Sequence, residues 1–217
     1  MIRNYEVQEI GEYSRLVGEE NLRIVLDTFD CSLNQEVEGF LVRKAVQAGL
    51  LKSAITYLVF DIDTSALVGY FTLVLKPFSI ARDKLNSANR KLISRFAELN
   101  ERTGEYTAAI YLIAQIGKNF AIEEDDRIEG KALLELALEK LRSAQTIVGG
   151  KLVLVEREAD RPKLFEFYKD RGFKSWNERY DKGDGVKYDQ MIRVLEPVAD
   201  NQSQIVETEM KGKSSTQ

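Results

Sequence analysis

At 217 residues, 44% hydrophobic and 30% charged, the chain has the size and composition of one folded domain with a sizeable core. It has no histidine, which excludes Ser-His-Asp and Cys-His hydrolases and histidine-liganded metal sites, and its one cysteine, Cys31, cannot form an internal disulfide. A net charge of -4 argues against a surface that grips nucleic acid all over; with no signal-like start and no apolar run near the roughly 20 residues of a membrane span, the expected address is the cytoplasm, with no membrane partner.

In chain order, Tyr5 to Ile10 reads as a first strand. Asn34 to Gly49 reads as one helix, with Val37, Phe40, Leu41, Ala45 and Ala48 on a single face. The β-branched and aromatic run Ile55 to Phe60, the turn Asp61 to Thr64 and the run Leu67 to Leu75 make a hairpin, which Pro77 is expected to end. A polar helix follows from about Ser87 to Asn100, with Leu92, Ile93, Phe96 and Leu99 inward; Arg82, Lys84, Arg90, Lys91 and Arg95 lie in or beside it. Thr107 to Ile116 is the most apolar strand, expected to be central and covered on both faces. After the acidic loop Glu123 to Asp126, the strongest helix buries Leu133, Leu134, Ala137, Leu138, Leu141 and Ala144 and stops at Gly149-Gly150. Leu152 to Val155 is a short buried strand, Pro162 opens a helix to Arg171, and Lys174 to Tyr180 with Lys187 to Leu195 form a last strand pair. The polar stretch Asn201 to Gln217 reads as a disordered tail. The expected organisation is thus a mixed α/β (α+β) domain over 1–197, with a helical insertion at about 77–105, and a tail over 198–217.

Chemistry enters at Arg127-Ile128-Glu129-Gly130-Lys131-Ala132, between the apolar strand and the strongest helix. A helix N-terminus presents unpaired N–H groups and a positive dipole end, and Gly130 and Ala132 clear the approach for a diphosphate, beside the donor fork of Arg127. The plainer reading is a helix start with small residues for close packing. A second signal is Lys163-Leu164-Phe165-Glu166-Phe167-Tyr168-Lys169-Asp170-Arg171-Gly172-Phe173. Leu164 and Phe167 are expected inward, Tyr168 near the edge of that face, and Gly172 at the left-handed turn that closes the helix. Here the plainer reading is a capped amphipathic helix with a core tyrosine.

In this order, one helix and one strand apart, the two signals resemble the GNAT acetyltransferases, which carry Arg/Gln-x-x-Gly-x-Gly/Ala after the fourth strand and Phe-Tyr-x-x-x-Gly-Phe on the helix after the fifth. The resemblance covers about residues 1 to 195 and is specific from Ile110 to Phe173. It implies a mixed, mostly antiparallel twisted sheet of about seven strands flanked by helices, and acetyl-CoA as cosubstrate. Ile116, Gly117 and Lys118 would offer the splayed strand edge to the pantetheine arm. Arg127, Ile128, Glu129, Gly130, Lys131 and Ala132 would hold the pyrophosphate, mostly through backbone N–H. Three departures stand out: the longer, acidic loop from Lys118 to Asp126, Ala132 at the last small position, and Arg161 where many members have Asn.

The implied reaction is attack of a neutral amine on the thioester. Tyr168 is the implied acid for the departing thiolate, a phenol being protonated at neutral pH, and Glu156 at the end of the fifth strand is the implied base. Gln115 cannot act as a base. No metal is implied. For the acceptor, the first expectation is an amine of a small molecule or protein. The segment from Leu67-Val68-Gly69-Tyr70-Phe71 to Leu112-Ile113-Ala114-Gln115-Ile116-Gly117 also resembles the toxin branch that acetylates aminoacyl-tRNA, which makes tRNA the second, less favoured partner. A CoA-binding fold relative without turnover is the third reading, and a homodimer is an allowed assembly.

Overall fold

The computed structural model describes residues 4–196 apart from 182 and 184; the expected tail, 198–217, lies outside the described residues. The chain runs β1 (Tyr5–Glu9), α1 (Ile10–Val17), α2 (Glu19–Leu26), α3 (Gln35–Arg43), α4 (Ala45–Leu50), β2 (Ile55–Asp61), β3 (Leu67–Ala81), α5 (Ser87–Ile93), β4 (Leu99–Asn100), β5 (Glu105–Lys118), α6 (Gly130–Val148), β6 (Leu152–Glu158), α7 (Pro162–Lys169), β7 (Lys174–Tyr180) and β8 (Lys187–Val194). The strands form one sheet ordered β1-β2-β3-β5-β6-β8-β7, with β4 paired to β5 off this path. Every pairing is antiparallel except β5 with β6. The expected class of fold is therefore present, with eight strands among the described residues instead of about seven.

Alternation along the strands divides the core between the two sheet faces. Val59, Phe71, Tyr111, Ile113, Val153, Val155 and Met191 point to one face, where α6 and α7 cover them with Leu133, Leu134, Leu138, Leu141 and Tyr168. On the other face, Leu58, Phe60 and Tyr70 pack under the N-terminal helices with Ile10, Leu26 and Leu41. Ile110, Leu112, Leu154 and Ile192 pack there too, with Ile93 of α5 and Trp176 of β7.

Several local expectations are corrected. Residues 34–49 form two helices, because Lys44 leaves helical geometry at φ -123. Helices α1 and α2 precede them; each is only eight residues long, so neither carries a long apolar stripe. Pro77 does not end its strand: β3 runs on to Ala81, with Pro77 opposite Ala109. The β2 pairing stops at Ile55 opposite Leu73, so Pro77 lies where β3 has a neighbour on one side only, an edge position of the kind that accommodates proline. Within 77–105, only Ser87–Ile93 is α-helix; Arg82–Lys84 is a 3₁₀ turn, and Leu99 and Asn100 pair with Tyr106 and Glu105 as β4. The most apolar strand and the strongest helix lie where expected, and Gly149 closes α6 at φ 73.

Candidate active site

Strands β5 and β6 pair over only three residues, Tyr111↔Val153, Leu112↔Leu154 and Ile113↔Val155. Beyond them β5 stays with β3 as far as Lys118↔Gly69, while β6 stays with β8 as far as Glu158↔Tyr188. Each strand follows its outer neighbour, so the two diverge. A bulge marks where this begins: Gln115 faces Thr72 and Ile113 faces Leu73, which leaves Ala114 with no partner on β3. An extra residue bends its strand and increases its twist. From Ala114 to Lys118 the β6-facing edge of β5 has no strand partner.

The opening is a cleft with a cavity volume of about 580 Å³. Its walls are Ile113 to Lys118 on one side and Glu156, Arg157 and Glu158 on the other. Toward one sheet face it reaches Gly130 and Leu133 of α6 with Leu164, Phe167 and Tyr168 of α7; toward the other it reaches Cys31, Leu33, Asn34 and Val37. The cleft thus passes through the sheet and opens on both faces.

Glycine shapes the β5 wall. A Cβ on Gly117 would lie 2.6 Å from Val37 Cγ1 and 3.3 Å from Phe29 Cζ, so the close approach of α3 to the strand requires its absence. The segment from Thr28 to Cys31 is tied to the end of β5 by Asn119, which is buried. Its amide donates to the carbonyls of Leu67 (2.8 Å) and Thr28 (3.0 Å), and its oxygen accepts from the N–H of Asp30 and Ala121, both at 3.0 Å. No local signal in the sequence marks Asn119 for this role, since a polar residue after a strand ordinarily marks a turn.

At the α6 N-terminus, the first helical hydrogen bond is Leu133 N–H to Glu129 O, and Glu129 supplies no side-chain cap. The N–H groups of Gly130, Lys131 and Ala132 therefore have no acceptor within the helix, as phosphate binding requires. Gly130 lines the cleft, where a Cβ would come 3.2 Å from the ring of Phe167. Ile128 is fully buried and does not line the cleft; Glu129 and Lys131 are exposed. Arg127 departs from the expectation. Its Nε donates to Ile122 O at 2.7 Å, its Nη2 donates to Phe120 O at 3.0 Å, and its guanidinium lies 5.3 Å over the Phe120 ring. It closes the loop before α6 and does not line the cleft. Ile116, Gly117, Lys118 and Gly130 are the expected binding residues that do.

Helix α7 is turned relative to the expectation. Tyr168 is its one buried residue and Leu164 is exposed. The Tyr168 ring makes edge-on contacts with Phe167 (5.1 Å) and Phe173 (5.5 Å). Burial pushes its phenol up to about 12. No other described residue hydrogen-bonds its hydroxyl, on a side chain that lines the cleft.

Glu156 points to the sheet face opposite α6 and α7, on the same side of β6 as Leu154. Gln190 Nε2 donates to its Oε1 at 2.7 Å, and Arg179 donates to both oxygens at 3.3 Å. Arg179 also pairs with Asp181 at 2.6 Å. Arg157, buried beside this group, pairs with Asp189 and donates to the carbonyls of Glu158, Ala159 and Arg161, which fixes the turn into α7. Arg161 bonds Glu158 at 2.6 Å and the carbonyl of Leu33 at 3.2 Å, bridging that turn to the N-terminal helices.

A parallel strand pair that opens halfway, with an uncapped helix N-terminus after one strand and a tyrosine helix after the other, defines the GNAT fold, and this chain has it. Solved structures resemble it over most of its length. The AtaT toxin complexed with acetyl-methionyl-tRNAfMet has a TM-score of 0.56 at 17% identity over 85% of this chain and 94% of that one. A structure described as a bacterial toxin has a TM-score of 0.59 at 13% identity over 96% and 97%. A tyrosine-to-phenylalanine mutant of KacT has a TM-score of 0.56 at 18% identity over 85% and 93%. At these identities the likeness is one of fold. No family model matches the chain, and no curated protein matches it in sequence.

Proposed function

We propose that this protein is an acetyl-CoA-dependent N-acetyltransferase, and that its acceptor is the α-amine of an aminoacyl-tRNA. The observation that carries the first part is the unpaired β5 edge from Ala114 to Lys118, leading to the uncapped N-terminus of α6 with Tyr168 beside it. An extended amide chain can add to such an edge by main-chain hydrogen bonds, and a diphosphate can rest on the free N–H groups of Gly130, Lys131 and Ala132. AtaTR bound with acetyl-CoA, a structure of the same fold at a TM-score of 0.54 and 16% identity, supports this cosubstrate.

The acceptor enters from the other face, past Cys31, Leu33 and Val37. Attack of its neutral nitrogen on the thioester carbonyl forms the C–N bond, and collapse of the tetrahedral adduct breaks the C–S bond. Backbone N–H on the splayed strand polarises the carbonyl. Three hydrogen bonds occupy Glu156, so one acceptor position is left on its carboxylate for an N–H of the amine, whose proton it draws off. Tyr168 donates to the departing sulfur. The same enclosure that raises the phenol disfavours a bare thiolate, so a donor is needed there.

The choice of tRNA over a small amine reverses the order expected from net charge. It is supported by the AtaT complex with acetyl-methionyl-tRNA and by a local cluster of cations. Arg82, Lys84, Lys91 and Arg95 are exposed in and beside α5, on the sheet face through which the acceptor reaches the cleft. Incubation with acetyl-CoA and either charged tRNA or a panel of polyamines and peptides, read as free CoA, tests both parts. CoA release with charged tRNA is expected. Release only with small amines overturns the acceptor; release with none, together with no binding of acetyl-CoA, overturns the enzyme.

A further inference from the structure

A second cavity, of about 360 Å³, lies between α6 and the C-terminal end of α7. Its floor is Leu134 and Leu138, and its rim carries Lys131, Arg171 and Arg193 together with the acids Glu135 and Asp170. Glu135 is already held by Arg142 at 2.7 Å. Among the described residues, none of the three cations forms a salt bridge. Arg171 is set in place by its Nη1 bond to Phe167 O (2.7 Å) and by stacking at 3.8 Å over the Phe167 ring, while its Nε is buried with no acceptor.

This cavity and the cleft share the first turn of α6. Gly130 lines the cleft and Lys131 the cavity; Phe167 lines the cleft and supports Arg171. A molecule that lies along β5 and rests a diphosphate on that turn continues into the cavity with whatever follows the diphosphate. The cation expected there from the sequence, Arg127, is bound to loop carbonyls instead. We propose that Lys131, Arg171 and Arg193 form a phosphomonoester subsite for the nucleotide end of acetyl-CoA, taking its 3′-phosphate at the rim of the apolar floor. Guanidinium and ammonium donors suit a dianionic phosphate, and such bonds are about twice as strong as neutral ones. The subsite rests on the acetyl-CoA reading above.

The test compares the affinities of the full chain for acetyl-CoA and for acetyl-dephospho-CoA, which lacks only the 3′-phosphate, by calorimetry. The wild type is expected to prefer acetyl-CoA by about tenfold or more, and the preference should shrink as salt is raised. In a Lys131→Ala, Arg193→Ala double variant of unchanged melting temperature, the ratio should fall toward one through weaker binding of acetyl-CoA. Should that variant not fold, Lys131→Ala alone, at an exposed position, should lower the ratio part of the way. Equal affinities in the wild type, or an unchanged ratio in the variants, overturn the subsite and leave the acetyl-CoA reading standing. An unchanged ratio with loss of tRNA binding assigns the cations to a polynucleotide backbone and likewise overturns it. If neither acetyl-CoA nor its dephospho form binds, both readings fall.

Discussion

Replacing Tyr168 by Phe separates catalysis from packing. The ring is buried between Phe167 and Phe173, and phenylalanine keeps both edge-on contacts. The hydroxyl has no hydrogen-bond partner among the described residues, so its loss leaves no buried group unsatisfied and should change stability by less than about 1 kcal/mol. Ground-state binding of acetyl-CoA should stay within about threefold, because a donor to a developing thiolate acts in the transition state. Turnover should fall about 100-fold, or roughly 2.7 kcal/mol, with kcat and kcat/KM lowered together. Burial pushes the phenol up to about 12, so it remains protonated at every pH at which the enzyme would be assayed. A thiol ordinarily ionises near 8.5, so full proton transfer from such a phenol runs uphill in water, and the hydroxyl acts mainly by hydrogen bonding as the C–S bond lengthens. The assay is free-CoA release with charged tRNA under saturating conditions, paired with calorimetry and a melt of the same preparation. Undiminished kcat in a well-folded variant would refute the reasoning. A loss of affinity as large as the loss of rate would show instead that Tyr168 serves binding.

Gly130→Asp puts a side chain against Phe167 and a negative charge at the α6 N-terminus, so it should abolish the melting shift of about 5–10 °C expected from acetyl-CoA at roughly 100 times its dissociation constant. Asn119→Ala removes four hydrogen bonds at a buried site and should destabilise the fold by about 3–4 kcal/mol in denaturant titrations, with a cost under 1 kcal/mol counting against its role as the anchor of the Thr28 to Cys31 segment. Since folding raises the Tyr168 phenol from about 10 to about 12, its contribution to stability is intact below pH 10 and lost as pH climbs toward 12, by up to about 3 kcal/mol. Burial raises Tyr70 as well, so unfolding measured from pH 8 to 12 should steepen above pH 10, less so in Tyr168→Phe. Charge reversal at Arg90, Lys91 and Arg95 should weaken tRNA binding steeply at low salt and spare acetyl-CoA; binding indifferent to both salt and reversal would refute the tRNA acceptor.

What could be read from the sequence divides by the range of the interactions involved. The runs that make β5 and α6 are long and strongly periodic, and the turn between them carries its own small residues, so Gly130 and the helix start were legible from local pattern. The short N-terminal helices were not, since they are fixed by packing beneath Leu58 and Tyr70 across the sheet. Pro77 misled for the same reason: whether a proline ends a strand depends on which edge is paired, and pairing is set by a partner 32 residues away, Ala109. The i, i+3 spacing of Leu164 and Phe167 sets the expected inward face of α7 and puts Tyr168 one position round from it, although α7 is short and has aromatic residues on several sides. Which of them is buried is decided by contacts from beyond the helix, with Phe173 after the turn among them.

Arg127 shows how a residue can carry a different task from the one its chemistry suggests. The loop from Lys118 to Asp126 is long and bears Glu123, Glu124, Asp125 and Asp126, charges that would oppose an anion at the α6 N-terminus. A guanidinium that clasps the carbonyls of Phe120 and Ile122 and stacks on Phe120 folds this loop back, with Glu124–Asp126 wound into a 3₁₀ turn. Gly130, at the start of α6, lines the cleft, and Arg127 does not. With Arg127 so occupied, a diphosphate on this turn would rest on backbone donors, and the proposed subsite adds side-chain charge from Lys131 and from beyond α6. The two arginines of that proposed subsite, Arg171 and Arg193, come from the end of α7 and from β8, 40 and 62 residues beyond Lys131 in the chain, a distance at which no local motif could have announced them.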